Sequence, residues 1–242
     1  MSKPPPDGPP EPPRKRMVRA PTGGDAGGRG EAVRVKTAKR RTTSSQAWLA
    51  RQLNDPFVAA AKAQGYRARA AFKLTEIDDR FHVIRPGGCI IDLGCAPGGW
   101  LQVAVRRRAG PIAGVDLLPV EPVAGAHILQ MDFTDPACGP RLLEQLGGPP
   151  DLVLSDMAPN TSGHRITDHL RIAGLIEAAI DFAIASLKPG GAFVAKAFQG
   201  GQTDDILARL RRHFAQVRFV KPKASRQDSS ELFLVAMDFK GR

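Results

Sequence analysis

Cysteine is scarce in this chain, and what there is builds neither a metal site nor a disulfide framework. Cys89, Cys95 and Cys138 are the three cysteines, none lies in a Cys-x-x-Cys pair, and the five histidines add no His/Cys cluster. Structural zinc is not expected, and a reduced, cytosolic compartment is. An export signal is missing as well, because Met1-Ser2-Lys3-Pro4-Pro5-Pro6 has no apolar core region. The longest apolar stretch, 172 to 187, is broken by Glu177 and Asp181, so no membrane span is expected. The arginine-rich start leaves an organellar transit peptide open, but its prolines oppose the amphipathic helix such peptides use.

Acidic side chains are the next shortage. Lys and Arg number 35 against 24 Asp and Glu, a net charge of +11 over 242 residues. Residues 1 to 45 alone hold eleven basic and four acidic side chains. The same stretch is crowded with Pro and Gly and nearly free of large apolar residues, so it cannot bury enough surface to offset the entropy of ordering. Residues 1 to 44 therefore read as a disordered tail, either an RNA-binding arm or a solubilising extension. Residues 45 to 242 form a body of ordinary single-domain size that keeps a smaller positive surplus. Tail and body both favour a polyanion, with nucleic acid the leading choice.

The body opens with a capping sequence at Ser44-Ser45-Gln46. A second helical pattern follows Asp55-Pro56, and a third, from Ala70 to Phe81, places Leu74, Ile77 and Phe81 on one face with Lys73 at its margin. From Cys89 onward short apolar runs alternate with helical patterns. Strands are predicted near 89 to 94, 112 to 116, 127 to 130, 151 to 155, 192 to 197, 216 to 221 and 231 to 237, and helices near 99 to 108, 139 to 146, 167 to 187 and 203 to 214. This alternation predicts an α/β fold with a mainly parallel, doubly wound sheet and helices on both faces. No helix separates the last two strands, which predicts an antiparallel hairpin at that edge.

In such a sheet ligands sit beyond the carboxyl ends of the strands. The run Ile90-Ile91-Asp92-Leu93-Gly94-Cys95-Ala96-Pro97-Gly98-Gly99-Trp100 leads a strand into a glycine-rich turn, then a helix whose first N–H groups lack partners. That suits either a nucleoside cradle or a plain strand-to-helix connection. Acidic residues at strand ends favour the cradle. Asp116 ends the second strand, placed to grip ribose hydroxyls, and Asp132 follows the third, where it could accept from an exocyclic amine. A nicotinamide dinucleotide enzyme would also use an acid on the second strand, but Pro97 stands where a pyrophosphate would need a helix N–H. A cofactor without phosphates tolerates it.

The segments Asp92 to Trp100, Asp116-Leu117-Leu118-Pro119, Ser155-Asp156-Met157-Ala158-Pro159-Asn160 and Lys196-Ala197-Phe198-Gln199-Gly200 together resemble the FtsJ-type ribosomal RNA 2'-O-methyltransferases of the large subunit. The likeness covers about residues 44 to 239 and leaves the tail outside. It implies a Rossmann-like methyltransferase domain that uses S-adenosylmethionine to methylate a uridine 2'-hydroxyl in the A-loop of large-subunit ribosomal RNA. It implies cofactor contacts at Gly94, Gly98, Trp100, Asp116, Asp132 and Asp156. The catalytic pattern of the resemblance, Lys-Asp-Lys-Glu, falls on Lys73, Asp156, Lys196 and Glu231. Ala71 and Cys95 depart from the usual aromatic and alanine without removing a functional group.

Lysine in an otherwise apolar fifth-strand run is costly without a purpose. Lys196 is therefore the candidate to take the ribose proton or polarise the hydroxyl, and the base role needs a lowered pKa. Lys73 would lower it and the two acids would oppose that. Two exposed salt bridges are the plainer alternative.

Other chemistries fit less well. Asp156-Met157-Ala158-Pro159 lacks the aromatic that would stack a flipped adenine, and no Pro-Cys nucleophile serves cytosine C5. A cap 2'-O-methyltransferase would want an aromatic slot, and the chain has one tyrosine and two tryptophans. A non-catalytic RNA-binding module would explain the basic charge but not the acidic strand ends. Arg67, Arg69, Arg209, Arg211, Arg212, Lys221, Lys223 and Arg226 are candidate phosphate ligands. A cytoplasmic monomer acting on the large ribosomal subunit is expected.

Overall fold

The computed structural model of the chain describes residues 42–158, 165–198, 203–227 and 229–241. Most of the expected tail lies outside the described residues, as do Pro159, Asn160, Gln199 and Gly200. The chain divides into two compact units, Met1–Pro56 and Phe57–Arg242. In the first, helix α1 runs from Thr43 to Leu53. Its N-cap is Thr42, whose side chain accepts from the Ser45 N–H, so the capping residue stands before the expected Ser44-Ser45 pair. Helix α2, Pro56–Ala63, begins on a proline, which loses nothing at a position with no intrahelical partner for its nitrogen.

The second unit then runs through α3 (Ala70–Phe81), β1 (Ile90–Leu93), α4 (Gly99–Arg106), β2 (Ile112–Asp116), β3 (His127–Gln130), α5 (Cys138–Leu146), β4 (Leu152–Ser155), α6 (Arg165–Ser186), β5 (Ala192–Phe198), α7 (Thr203–His213), β6 (Phe214–Val220) and β7 (Glu231–Phe239). The seven strands form one sheet in the order β3-β2-β1-β4-β5-β7-β6. Pairings from β3 to β5 are parallel, and β7 lies antiparallel between β5 and β6. The expected fold and edge hairpin are both present. Boundaries move by up to two residues, and at β6 the helix α7 passes directly into the strand, because Phe214 is buried and its ring packs 5.2 Å from that of Phe239.

Period-two alternation sorts each inner strand between two cores. Ile91, Leu93, Val153, Phe193 and Ala195 face α5, α6 and α7. Ile90, Leu152, Leu154, Val194, Phe233 and Val235 face α3 and α4. Asp92 and Lys196 occupy inward positions of the second set, where an apolar residue would be the ordinary choice. Both are buried. They stand at the carboxyl ends of β1 and β5, the edge at which α3 also presents Lys73.

Candidate active site

At the end of β1 two glycines allow approaches that a side chain would block. Gly94 has φ +77°, and a Cβ there would lie 2.6 Å from Met157 Cγ and 3.0 Å from the Met157 nitrogen, so the chain leaving β4 closes directly over the turn. Gly98 has φ +102° and caps α4, where a Cβ would meet Arg67 Nη1 at 2.7 Å. Arg67 fixes this turn from outside. Its guanidinium donates to the carbonyls of Pro97 (3.1 Å), Glu121 (2.5 Å) and Pro122 (2.8 Å), tying the glycine turn to the loop after β2.

Asp116 joins the same two segments. One carboxylate oxygen accepts from Ala96 N at 2.8 Å and the other from Leu118 N at 2.9 Å, which leaves one lone pair on each for a ligand. Asp132 is exposed and its Oδ1 accepts from the Thr134 N–H and hydroxyl, bonds that hold its carboxyl below the ordinary range. The Trp100 side chain is taken up in the core. Its indole is 3% exposed, donates to the Ala70 carbonyl at 2.9 Å and packs on Phe233, so only its main chain faces the turn.

Asp92, in the glycine-turn motif, is the third acid at a strand end. Its side chain is fully buried, and neither carboxylate oxygen has a hydrogen-bond partner among the described residues. Burial pushes its pKa well up, and the nearby Asp156 and Asp116 push it further. Burial, with Asp92 and Asp116, likewise raises the Cys95 thiol, which is thereby kept from acting as a thiolate nucleophile. Asp116 and the unpartnered Asp92 leave carboxyl oxygens open beside the glycine turn, while Asp156 is paired with Lys196. The signal for Asp92 was present in the sequence as an acid at an inward position of an apolar strand.

The four residues of the Lys-Asp-Lys-Glu pattern arrive from four parts of the chain as two part-buried pairs. Lys196 Nζ donates to the Asp156 main-chain oxygen at 2.7 Å and to its Oδ1 at 2.9 Å. Lys73 Nζ lies 2.6 Å from Glu231 Oε1 and 5.4 Å from the centre of the Phe233 ring. Side-chain exposure is 9% and 22% in the first pair and 13% and 14% in the second, so neither is the exposed salt bridge of the plainer reading. Strand register explains the meeting. Lys196 is opposite Phe233 and Phe198 is opposite Glu231, which places Lys196 and Glu231 on one face of the β5–β7 pair two residues apart along the strand. Burial raises the Glu231 carboxyl, but Lys73, the Ser225 hydroxyl and Lys196 outweigh it and the net displacement is downward.

Several of the expected phosphate ligands are engaged inside the protein. Besides Arg67, Arg69 donates to the Ala224 carbonyl, Arg209 pairs with Asp181, and Lys221 Nζ donates to the carbonyls of Gln227 and Ser229. Arg211, Arg212 and Lys223 are exposed. Among the described residues no cluster of His, Cys, Asp and Glu could hold a metal ion, and no helix is long and apolar enough to cross a membrane.

The chain is similar to known proteins. Residues 66–239 match the FtsJ-like methyltransferase family. Proteins named ribosomal RNA large subunit methyltransferase E are similar over most of the chain. The one from Caulobacter sp. (strain K31) is 67% identical, with 93% of this chain and 100% of that protein covered. The one from Gluconobacter oxydans is 60% identical, with 88% and 79% covered. A crystal structure of a chain assigned as a ribosomal RNA methyltransferase from Plasmodium falciparum superposes with a TM-score of 0.66 at 30% identity, covering 73% of this chain and all of that one.

Proposed function

The chain belongs to the FtsJ-like methyltransferase family, and we propose that it methylates the 2'-hydroxyl of a uridine in the A-loop of large-subunit ribosomal RNA, on the assembled subunit, in the cytoplasm. The observation that carries this reading is the two part-buried ion pairs, Lys196 with Asp156 and Lys73 with Glu231, at the edge where the glycine turn opens. Two lysines and two acids withdrawn from water serve no packing need, and burying them carries a desolvation cost that only good geometry offsets.

S-adenosylmethionine is the methyl source, supplying a cationic sulfonium methyl open to attack by a hydroxyl oxygen. The residues present fit it: Asp116 has lone pairs for ribose hydroxyls, and Asp92 with Asp156 favours a positive centre, while Gly94 and Gly98 let Met157 and Arg67 close on the turn. Asp132 and the Trp100 main chain complete the proposed contacts.

On the acceptor side, two of the three protons of the Lys196 ammonium are held by Asp156. The third is available to hold the ribose oxygen in line for attack, and such orientation can account for effective molarities of about 10⁵ M or more. The hydroxyl proton must also leave, and the carboxylates of Asp156 and Glu231, or Lys196 itself when neutral, are the acceptors at hand. Arg211, Arg212 and Lys223 are the exposed cations offered to RNA phosphates.

Mapping 2'-O-methyl groups in ribosomal RNA with and without the protein tests the proposal. A uridine in the A-loop that loses its methyl when the protein is absent is the expected result. An unchanged ribosomal map, with activity on messenger cap structures instead, would move the substrate to the related cap enzymes.

A further inference from the structure

The loop between β6 and β7 is fastened at every few residues, and the fastenings converge on Glu231. Helix α3 and its N-cap residue Arg69 grip it with Arg69, Lys73 and Glu76, spaced four and three residues apart. Arg69 donates to the Ala224 carbonyl, Glu76 Oε2 accepts from Lys223 N at 2.8 Å, and Lys73 pairs with Glu231. From the other side Lys221 Nζ bonds the carbonyls of Gln227 and Ser229, and Ser225 N closes a turn on Pro222 O at 2.8 Å. Ser225 is thereby held at 6% exposure, with its hydroxyl donating to Glu231 Oε1 at 2.9 Å.

That oxygen is the same one that receives Lys73. A carboxylate oxygen has two lone pairs, so Ser225 and Lys73 together fill Oε1. We propose that Ser225 is a positioning residue for the methyl-transfer site, fixing the rotation of the Glu231 carboxylate so that Oε2 alone is left to act on Lys196 or the acceptor hydroxyl. The inference rests on the catalytic reading of Glu231. The charged groups that bear on this carboxylate are Lys73 from α3 and Lys196 from β5, and the Ser225 bond adds to their effect in favouring its charged form.

The test compares Ser225→Ala, Ser225→Thr and Glu231→Gln in methyl transfer to undermethylated large subunits. Ser225→Ala should lower kcat about tenfold, as loss of a hydrogen bond to a charged group predicts, with KM for S-adenosylmethionine within about twofold of the wild type. It should also move the acid limb of the kcat profile to higher pH, because the carboxylate loses a donor that favours its charged form. Ser225→Thr keeps the hydroxyl and should restore both. In a Glu231→Gln background Ser225→Ala should add little.

A purely structural Ser225 would lower the melting temperature and leave the acid limb in place, which overturns the proposal. So would an alanine variant with wild-type kcat. If Ser225→Ala does not fold, Ser225→Cys takes its place, and failure of both to fold assigns the residue to stability alone. A Glu231→Gln variant with full turnover would instead remove the catalytic reading on which the proposal stands.

Discussion

Lys196 Nζ bonds both the main-chain oxygen and the carboxylate of Asp156, at 2.7 and 2.9 Å, so the end of β5 is tied to the end of β4 by this one side chain. Lys196→Ala removes that cation without touching the glycine turn. Single-turnover methyl transfer should fall by about 10³-fold or more, within the range of lost acid–base and orienting groups, while calorimetric affinity for S-adenosylmethionine stays within about threefold. Transfer at the wild-type rate would take Lys196 out of the chemistry.

Asp116 joins the turn to the β2 loop, and each of its carboxylate oxygens keeps one lone pair free of these two bonds. Asp116→Ala should weaken S-adenosylmethionine binding by at least about tenfold, the loss expected for hydrogen bonds to a charged group, and leave transfer at saturating cofactor less affected. Equilibrium dialysis reads the affinity directly. An unchanged dissociation constant would place the ribose contact elsewhere.

Glu231 sets a pH dependence with a definite sign. Its folded pKa lies below the ordinary value despite burial, mainly through Lys73. The native state therefore binds the proton less tightly than the unfolded chain. The stability it contributes is fully present above the unfolded glutamate range and is lost as pH falls through the lower folded value. Thermal melts should show Glu231→Gln less stable than wild type at neutral pH, with the gap narrowing below about pH 4. A constant gap across that window would deny the ion pair its role in stability.

Asp92 should behave in the opposite way. Burial and two neighbouring acids raise its folded pKa, so its contribution is present below the unfolded carboxylate range and is lost as pH rises through the folded value. Asp92→Asn removes the buried charge, and its melting temperature should exceed that of the wild type at pH 8 and converge with it in acid. Cofactor affinity should drop in the same variant, since stability and ligand charge preference are opposed at this residue. A variant less stable than wild type at every pH would show that the side chain has a partner that favours its charged form.

The sheet was readable because its determinants are local. Apolar runs bounded by glycine and proline marked the parallel strands to within one or two residues, and the absence of a helix between the last two gave the antiparallel hairpin. The β6 boundary was missed, since Phe214 looks like the end of α7 until its packing on Phe239 is known. The members of both ion pairs were identifiable by motif, yet that Lys196 and Glu231 share one face follows from the β5–β7 register, which no local pattern encodes. Arg67 illustrates the limit: its three acceptors are main-chain carbonyls 30 to 55 residues away, and a carbonyl has no sequence signature. Ser225 was hidden for a related reason, as a small polar residue in a polar loop. Trp100 was placed in the right motif, but helix phase turns its indole toward α3 and the core.

The most direct test of the proposed activity uses ribosomes from cells lacking this protein, complemented either with the wild-type chain or with Lys196→Ala at equal abundance, with 2'-O-methyl groups mapped across large-subunit ribosomal RNA. The account predicts one uridine in the A-loop methylated with the wild type and unmodified with the variant. Methylation restored equally by both, or no site that depends on the protein, would contradict it.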